Sequence, residues 1–305
     1  MKILSRKAIG LIAGLAVLVA VSYAEEPSDD AAAELKRPML SHEFSTDYSY
    51  AGKATLHQGD ANLGKLDSQS SSARYILSYD LTDGLILRFG ADWQRFSFGI
   101  PSGAPVPNTL QSVAAVIGAD IELSDNWLMR VEVEPGLYSD FHDISFDDVN
   151  MPSTIGFSYI VDKDLQWFFG VMVNPRSSIP VLPGAGVRWK FADQWTLMLL
   201  FPKPRLEYEV IEGLTLYVGG EIKGGNYQVG ENFGSKMGRT DLDNDNVAYR
   251  EIHAGGGVAW RFLPFMKLEL EGGWVFDRRL EYPQSDLILT SGGAPYGQVA
   301  LSAAF

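Results

Sequence analysis

Cysteine is missing from all 305 residues, which excludes disulfides, thiolate metal sites, a catalytic thiol and the lipid-bearing cysteine of a bacterial lipoprotein. Histidine is scarce, with four copies, and leaves little scope for imidazole metal sites or acid–base chemistry. Basic residues are in deficit: 25 Lys and Arg stand against 38 Asp and Glu, a formal charge of −13. A polyanionic partner such as nucleic acid is therefore not expected. After the first 24 residues no stretch is long and apolar enough to span a bilayer as a helix, which takes ~20 residues. No Gly-x-Ser-x-Gly nucleophile elbow occurs either.

At the N-terminus, Lys2, Arg6 and Lys7 precede an apolar run from Ala8 to Val21, and Ser22-Tyr23-Ala24 supplies small residues for cleavage. This reads as a secretory signal peptide over 1–24, cut after Ala24; the apolar run is too short for a membrane anchor. Residues 25–40 are rich in Glu, Asp, Ala and Pro without sheet alternation, and are expected to form a flexible periplasmic lead-in to a domain over 41–305.

From residue 41 the chain repeats one unit: an alternating run, a tight polar turn, then a run opening with Leu or Trp. The turns fall at Thr82-Asp83-Gly84, Ser124-Asp125-Asn126, Asp162-Lys163-Asp164, Ala192-Asp193-Gln194 and Ile211-Glu212-Gly213, with Leu263-Pro264-Phe265 less polar. Asp, Asn and Gly are what short hairpins require. Tyr75, Leu77, Tyr79 and Leu81 enter the first turn and Leu85, Leu87, Phe89, Ala91 and Trp93 leave it, while Arg74, Ser78, Asp80, Arg88 and Asp92 hold the opposite phase. A period of two with charge on one face predicts a sheet wetted on one side.

The other connections are longer: Gly99 to Asn108, Tyr138 to Asn150, Gly225 to Asn246 and Pro283 to Gly293. Short turns at one rim and long loops at the other are the arrangement of a transmembrane β-barrel. Pro202-Lys203-Pro204 is the exception, a short link on the long-loop side that predicts a low point in the outer rim. Its two prolines cannot donate to a ladder, so the flanking strands are the least secure. All seven tryptophans, Trp167 among them, take the apolar phase: Trp127, Trp189, Trp195 and Trp260 next to short turns, with Trp93 and Trp274 farther along their strands. The last two stand about 20 Å above Leu85 and Met266, near the ~25 Å apolar band of such barrels, so two aromatic girdles are expected. The count is about fourteen antiparallel strands, with twelve as the alternative and a soluble β-sandwich as the competing all-β fold.

On the face expected to line the lumen stand Arg74, Arg88, Arg130, Arg188, Lys190, Arg205, Lys223, Arg261 and Lys267. Against them are Asp80, Asp92, Asp120, Glu122, Glu132, Glu134, Glu207, Glu209, Glu221, Glu251, Glu269 and Glu271. This is a mixed lattice and not a channel of one sign. Fourteen strands enclose a cylinder roughly 28 Å across, and no segment reads as a plug. A passive pore for small hydrophilic solutes with weak cation preference follows, with a closed structural or surface barrel braced by ion pairs as the alternative and a barrel enzyme third. No oligomeric state can be read.

His253, two residues from Glu251, is expected to share the lumen with it, and His142 lies in a loop with Asp140, Asp143, Asp147 and Asp148. Asp241-x-Asp243-Asn244-Asp245 offers hard oxygen ligands, but Asn246 and Ile252 stand where a calcium loop needs Gly and Glu. No metal, cofactor or catalytic residue is therefore assigned.

The segment Phe201-Pro202-Lys203-Pro204-Arg205-Leu206-Glu207-Tyr208, with Leu214-Thr215-Leu216-Tyr217-Val218-Gly219-Gly220-Glu221, resembles uncharacterised Gram-negative outer-membrane β-barrel families known as domains of unknown function. The resemblance implies fold and location and brings no activity. The terminal Val299, Leu301 and Phe305 look like the signal read by the barrel-assembly machinery, although Ala303 is small and Tyr296 is out of phase. Outer-membrane lipid, lipopolysaccharide and that machinery are the expected partners. Outer-membrane phospholipases place a serine two residues after their histidine; here those positions hold Phe44, Gly59, Ile144 and Gly255.

Overall fold

The alternating runs pair into one sheet that closes on itself. The computed structural model describes residues 40–305; the expected signal peptide and the expected lead-in lie outside the described residues, save for Leu40, which opens the first strand. Fourteen barrel strands follow: β1 Leu40–Gln58, β2 Ala61–Thr82, β3 Leu85–Gly99, β4 Thr109–Ser124, β5 Trp127–Val133 with Gly136–Ser139, β6 Val149–Asn150 with Ser153–Ile160, and β7 Leu165–Val173. The circuit is completed by β8 Val181–Ala192, β9 Trp195–Leu199, β10 Arg205–Ile211, β11 Leu214–Gln228, β12 Asn246–Leu263, β13 Met266–Tyr282 and β14 Leu287–Ser291 with Ala294–Ala304. Pro135 and Pro152 interrupt β5 and β6, yet the ladder continues through their carbonyls, which accept from Ala115 at 3.0 Å and Glu134 at 2.8 Å.

Neighbouring strands run antiparallel, and β14 closes on β1 from Glu43↔Ala304 to Ala51↔Tyr296. Closure removes the open edges that hydrocarbon does not tolerate, and it rules out both the twelve-strand count and the sandwich. All six expected tight turns are present at one rim, Gly84 and Gly213 supplying the left-handed φ of 79° and 78° that a side chain resists. At the other rim the strands run farther than expected: β11 reaches Gln228, and Leu287–Ser291 inside the expected Pro283 to Gly293 loop is strand.

The outward phase is apolar and exposed, as at Tyr75, Phe89, Ile117, Ile155, Leu216 and Val299. All seven tryptophans point outward; Trp127, Trp167, Trp189, Trp195 and Trp260 line the short-turn rim and Trp93 and Trp274 the other side of the band. The chain is thus an outer-membrane-type barrel. A closed hydrogen-bonded wall is expected to migrate faster on gels unheated than boiled; one unchanged band would contradict it.

Candidate functional site

Inward side chains divide the lumen into a charged storey near the short turns and an apolar storey at the long-loop end. In the first, Arg74 of β2 reaches Glu132 and Glu134 of β5, both at 2.6 Å, and Asp92 of β3 at 3.3 Å. Arg88 meets Glu43 at 2.9 Å and Asp120 at 3.6 Å, and Arg130 meets Asp120 at 2.5 Å. Farther round, Arg205 meets Glu207 at 2.6 Å and Glu269 at 3.5 Å, while Lys267 reaches Glu269 at 2.7 Å. The mixed lattice expected from the alternation is therefore paired. Glu122 and Arg261 stand exposed toward the short-turn rim, and Arg188 and Lys190 are half-buried on β8.

Above it, polar side chains bridge the lumen. Lys223 of β11, 6 % exposed, extends its Nζ to Asp47 of β1 at 2.9 Å and to the hydroxyls of Ser70 at 3.3 Å and Ser49 at 3.5 Å. Tyr227 donates to Gln94 of β3 at 3.1 Å, and Gln228 pairs with Ser139 on the far side of the barrel. The upper half of the β11–β12 hairpin thus leans inward and crosses the axis.

A buried node lies beside this crossing. Glu251 of β12 accepts from the hydroxyls of Ser68 and Tyr249 and meets His253 Nε2 at 2.8 Å. Arg278 of β13 is 0 % exposed; it donates to the carbonyls of Gly52 at 2.7 Å and Leu66 at 3.1 Å, with Nε 3.5 Å from Glu251. Glu251 and His253, expected to share the lumen, bond each other, and Arg278 joins them without having been expected. A bulge between Val275 and Asp277 shifts the register of β13 and brings Arg278, Leu280 and Tyr282 to the inside; the only signal was the broken alternation at Val275-Phe276. Ser68 donates to Glu251 and not to His253, so the three do not form a nucleophile–base pair.

The apolar storey closes the top. Val229, Phe233 and Leu242 from the loop after β11, with Ala104 and Val106 from the loop after β3, pack against inward Phe96, Phe98, Tyr249, Leu280 and Tyr282. Tyr249 sits edge-on to Phe96 and Phe98, with centroids at 4.9 Å from each, and Tyr282 donates to the Pro105 carbonyl at 2.8 Å. Each large side chain so buried contributes about 1.5–3 kcal/mol. The expectation of a lumen without a plug is corrected: two in-folded loops supply one, which alternation could not reveal because they carry none.

The acidic loop is taken up internally. Asp241 pairs with Arg239 at 2.6 Å, Asp243 accepts from Ser235, and Asp245 accepts from Ser285 at 2.7 Å. The Ser235 bonds hold the Asp243 carboxyl below its usual range. His142 turns its Nδ1 toward Asp140. Among the described residues no group of three or more His, Cys, Asp or Glu gathers as a metal site.

Residues 86–288, most of the wall and its crossing, match the profile described as "Domain of unknown function (DUF6268)". The chain belongs to that family. No curated protein matches it. The barrel is similar to an outer membrane channel from Pseudomonas putida F1, at 13% identity and TM-score 0.45 over 92% of this chain and 100% of the other. It is also similar to the P. putida toluene transporter TodX, at 9% identity and TM-score 0.42 over 88% and 91%. A Pseudomonas aeruginosa FadL homologue gives 10% identity and TM-score 0.34 over 88% and 90%.

Proposed function

We propose that this DUF6268 protein is an outer-membrane transport barrel for small solutes whose axial passage is shut at rest by the inward-leaning β11–β12 hairpin. The observation that carries the reading is Lys223, which spans from β11 to Asp47, Ser49 and Ser70 on β1 and β2. A buried ammonium held by a carboxylate and two hydroxyls acts as a latch, and the apolar cap above it excludes water from the mouth. Hydrophilic solutes with weak cation preference are the finer reading for the open state, supported by the paired mixed charge below the latch. A closed structural barrel is the competing reading, supported by the buried cap itself.

Planar-bilayer conductance decides between them. Combining Lys223→Ala with Asp47→Asn removes the latch without stranding a carboxylate. Hydrogen bonds to charged groups are worth about 1.5–3 kcal/mol, so the open fraction should rise roughly tenfold or more. Wild type and double variant equally silent would leave the barrel structural.

A further inference from the structure

We infer that the outward face of β1, β2 and β3 at the long-loop end is a docking surface for lipopolysaccharide, held by Lys53, Lys65 and Arg95. The inference goes beyond the transport reading: it rests on the barrel standing in an outer membrane and not on any passage through it. All three cations are exposed, on a chain whose formal charge is −13. Their direction follows from the register. Along β3, Gln94 accepts from Tyr227 inside the barrel and Phe96 and Phe98 join the cap, so Arg95 takes the lipid side with Trp93. Along β2, Leu66, Ser68 and Ser70 face inward, which turns Lys65 out. On β1 the ladder slips between Ala51 and Ala54, and this bulge sets Gly52 and Lys53 opposite Asp67, the outward residue between Leu66 and Ser68.

The absence of internal partners sets these three apart. At the same end of the barrel the inward Lys223 is engaged with Asp47 and the inward Arg278 with Glu251, and the outward Arg279 of β13 is held by Glu281. Among the described residues no carboxylate pairs with Lys53, Lys65 or Arg95. Asp67 stands between them without closing on any, so three positive charges against one leave the patch net positive. Like charges gathered on adjacent strands of an acidic protein repel one another, and an anion laid across them offsets that repulsion.

Height selects the anion. Ala73 of β2 is the partner of Trp93. Counted along the strands at ~3.3 Å per residue and ~40° of tilt, Arg95 stands about 5 Å beyond that level, Lys53 about 15 Å and Lys65 about 20 Å. A phospholipid headgroup layer is only roughly 5–8 Å deep on each side of a bilayer, so its phosphates reach Arg95 and leave both lysines above them. Lipopolysaccharide carries its anions in tiers: phosphates on the lipid A sugars at the hydrocarbon edge, then carboxylates and phosphates on the inner-core sugars. Beside the lower tier, the outward Tyr48 and Tyr50 of β1 are exposed, where aromatic rings suit the interface.

The test uses the full barrel, folded in neutral detergent and verified by heat-modifiable migration. It is titrated with fluorescent rough lipopolysaccharide, with lipid A alone and with phosphatidylglycerol. A cation at an anionic surface contributes up to about fivefold in affinity, so Lys53→Gln/Lys65→Gln/Arg95→Gln should bind lipopolysaccharide about tenfold or more weakly than wild type. Wild-type binding should fall as salt rises. Lys53→Gln/Lys65→Gln should lose affinity for the whole molecule and keep it for lipid A, whose phosphates those lysines do not reach. The control Lys163→Gln/Lys190→Gln/Arg261→Gln removes the same charge at the short-turn rim and should bind as wild type does. Equal lipopolysaccharide binding by wild type and the patch variant, an equal loss in the control, or phosphatidylglycerol bound as tightly as lipopolysaccharide overturns the surface. Binding as expected by a barrel whose latch variant stays silent keeps this surface and removes the transport reading; a conducting latch variant with lipopolysaccharide binding indifferent to the patch does the reverse.

Discussion

Arg278→Ala is expected to destabilise the upper half of the barrel by about 3–5 kcal/mol, the range for breaking a buried charge network from one side. The guanidinium is 0 % exposed, and its loss strips donors from the carbonyls of Gly52 and Leu66 and removes the fixed positive charge beside Glu251. Unsatisfied buried acceptors each cost about 1–3 kcal/mol. The cap rests on this node, since Tyr249 both donates to Glu251 and packs on Phe96 and Phe98. Proteolysis in the loop after β11 and a lower temperature for loss of the heat-modifiable form should appear together. Arg278→Met with Glu251→Gln, which removes both charges at similar volume, should recover much of the loss. If Arg278→Ala melts with wild type and its loop resists protease, the node is ornamental.

How far the sequence spoke follows from what each residue faces. Along the short-turn halves of β2 and β3 every second residue meets lipid and most of the others are polar, so Tyr75, Leu77 and Phe89 against Arg74, Arg88 and Asp92 could be sorted by period alone. Lys223 and Glu221 were sorted the same way. Asp47 is readable on that logic too, two residues before the inward Ser49 with the outward Tyr48 between them. What was hidden depends on closure: that Lys223 meets Asp47, 176 positions away, follows only from the hairpin bending across the axis. Phase failed where geometry failed, at the β13 bulge that turned Arg278 inward. The cap was invisible because Val229, Phe233 and Leu242 sit in a loop where no period applies. By contrast, Pro202 and Pro204 announced the short β9 and β10, since residues that cannot donate end a ladder.

Deleting Phe305 is expected to lower the amount of barrel reaching the outer membrane several-fold while leaving the melting of the assembled fraction nearly unchanged. Its N–H donates to the His42 carbonyl at 2.9 Å, and its carbonyl accepts from His42 at 2.7 Å. Its ring stacks on the His42 imidazole at 5.2 Å and is 65% exposed. These bonds close the seam of β1 and β14 at the short-turn rim, where water can replace them in the finished protein, so little stability is at stake. While that seam is unpaired, each backbone group it leaves open in hydrocarbon costs several kcal/mol. Phe305→Trp, which keeps the aromatic end and both backbone bonds, should assemble normally. The decisive measurement is the folded, heat-modifiable fraction in isolated outer membranes at equal synthesis: a chain lacking Phe305 that accumulates at the wild-type level would mean that the terminus merely completes the wall and carries no assembly signal.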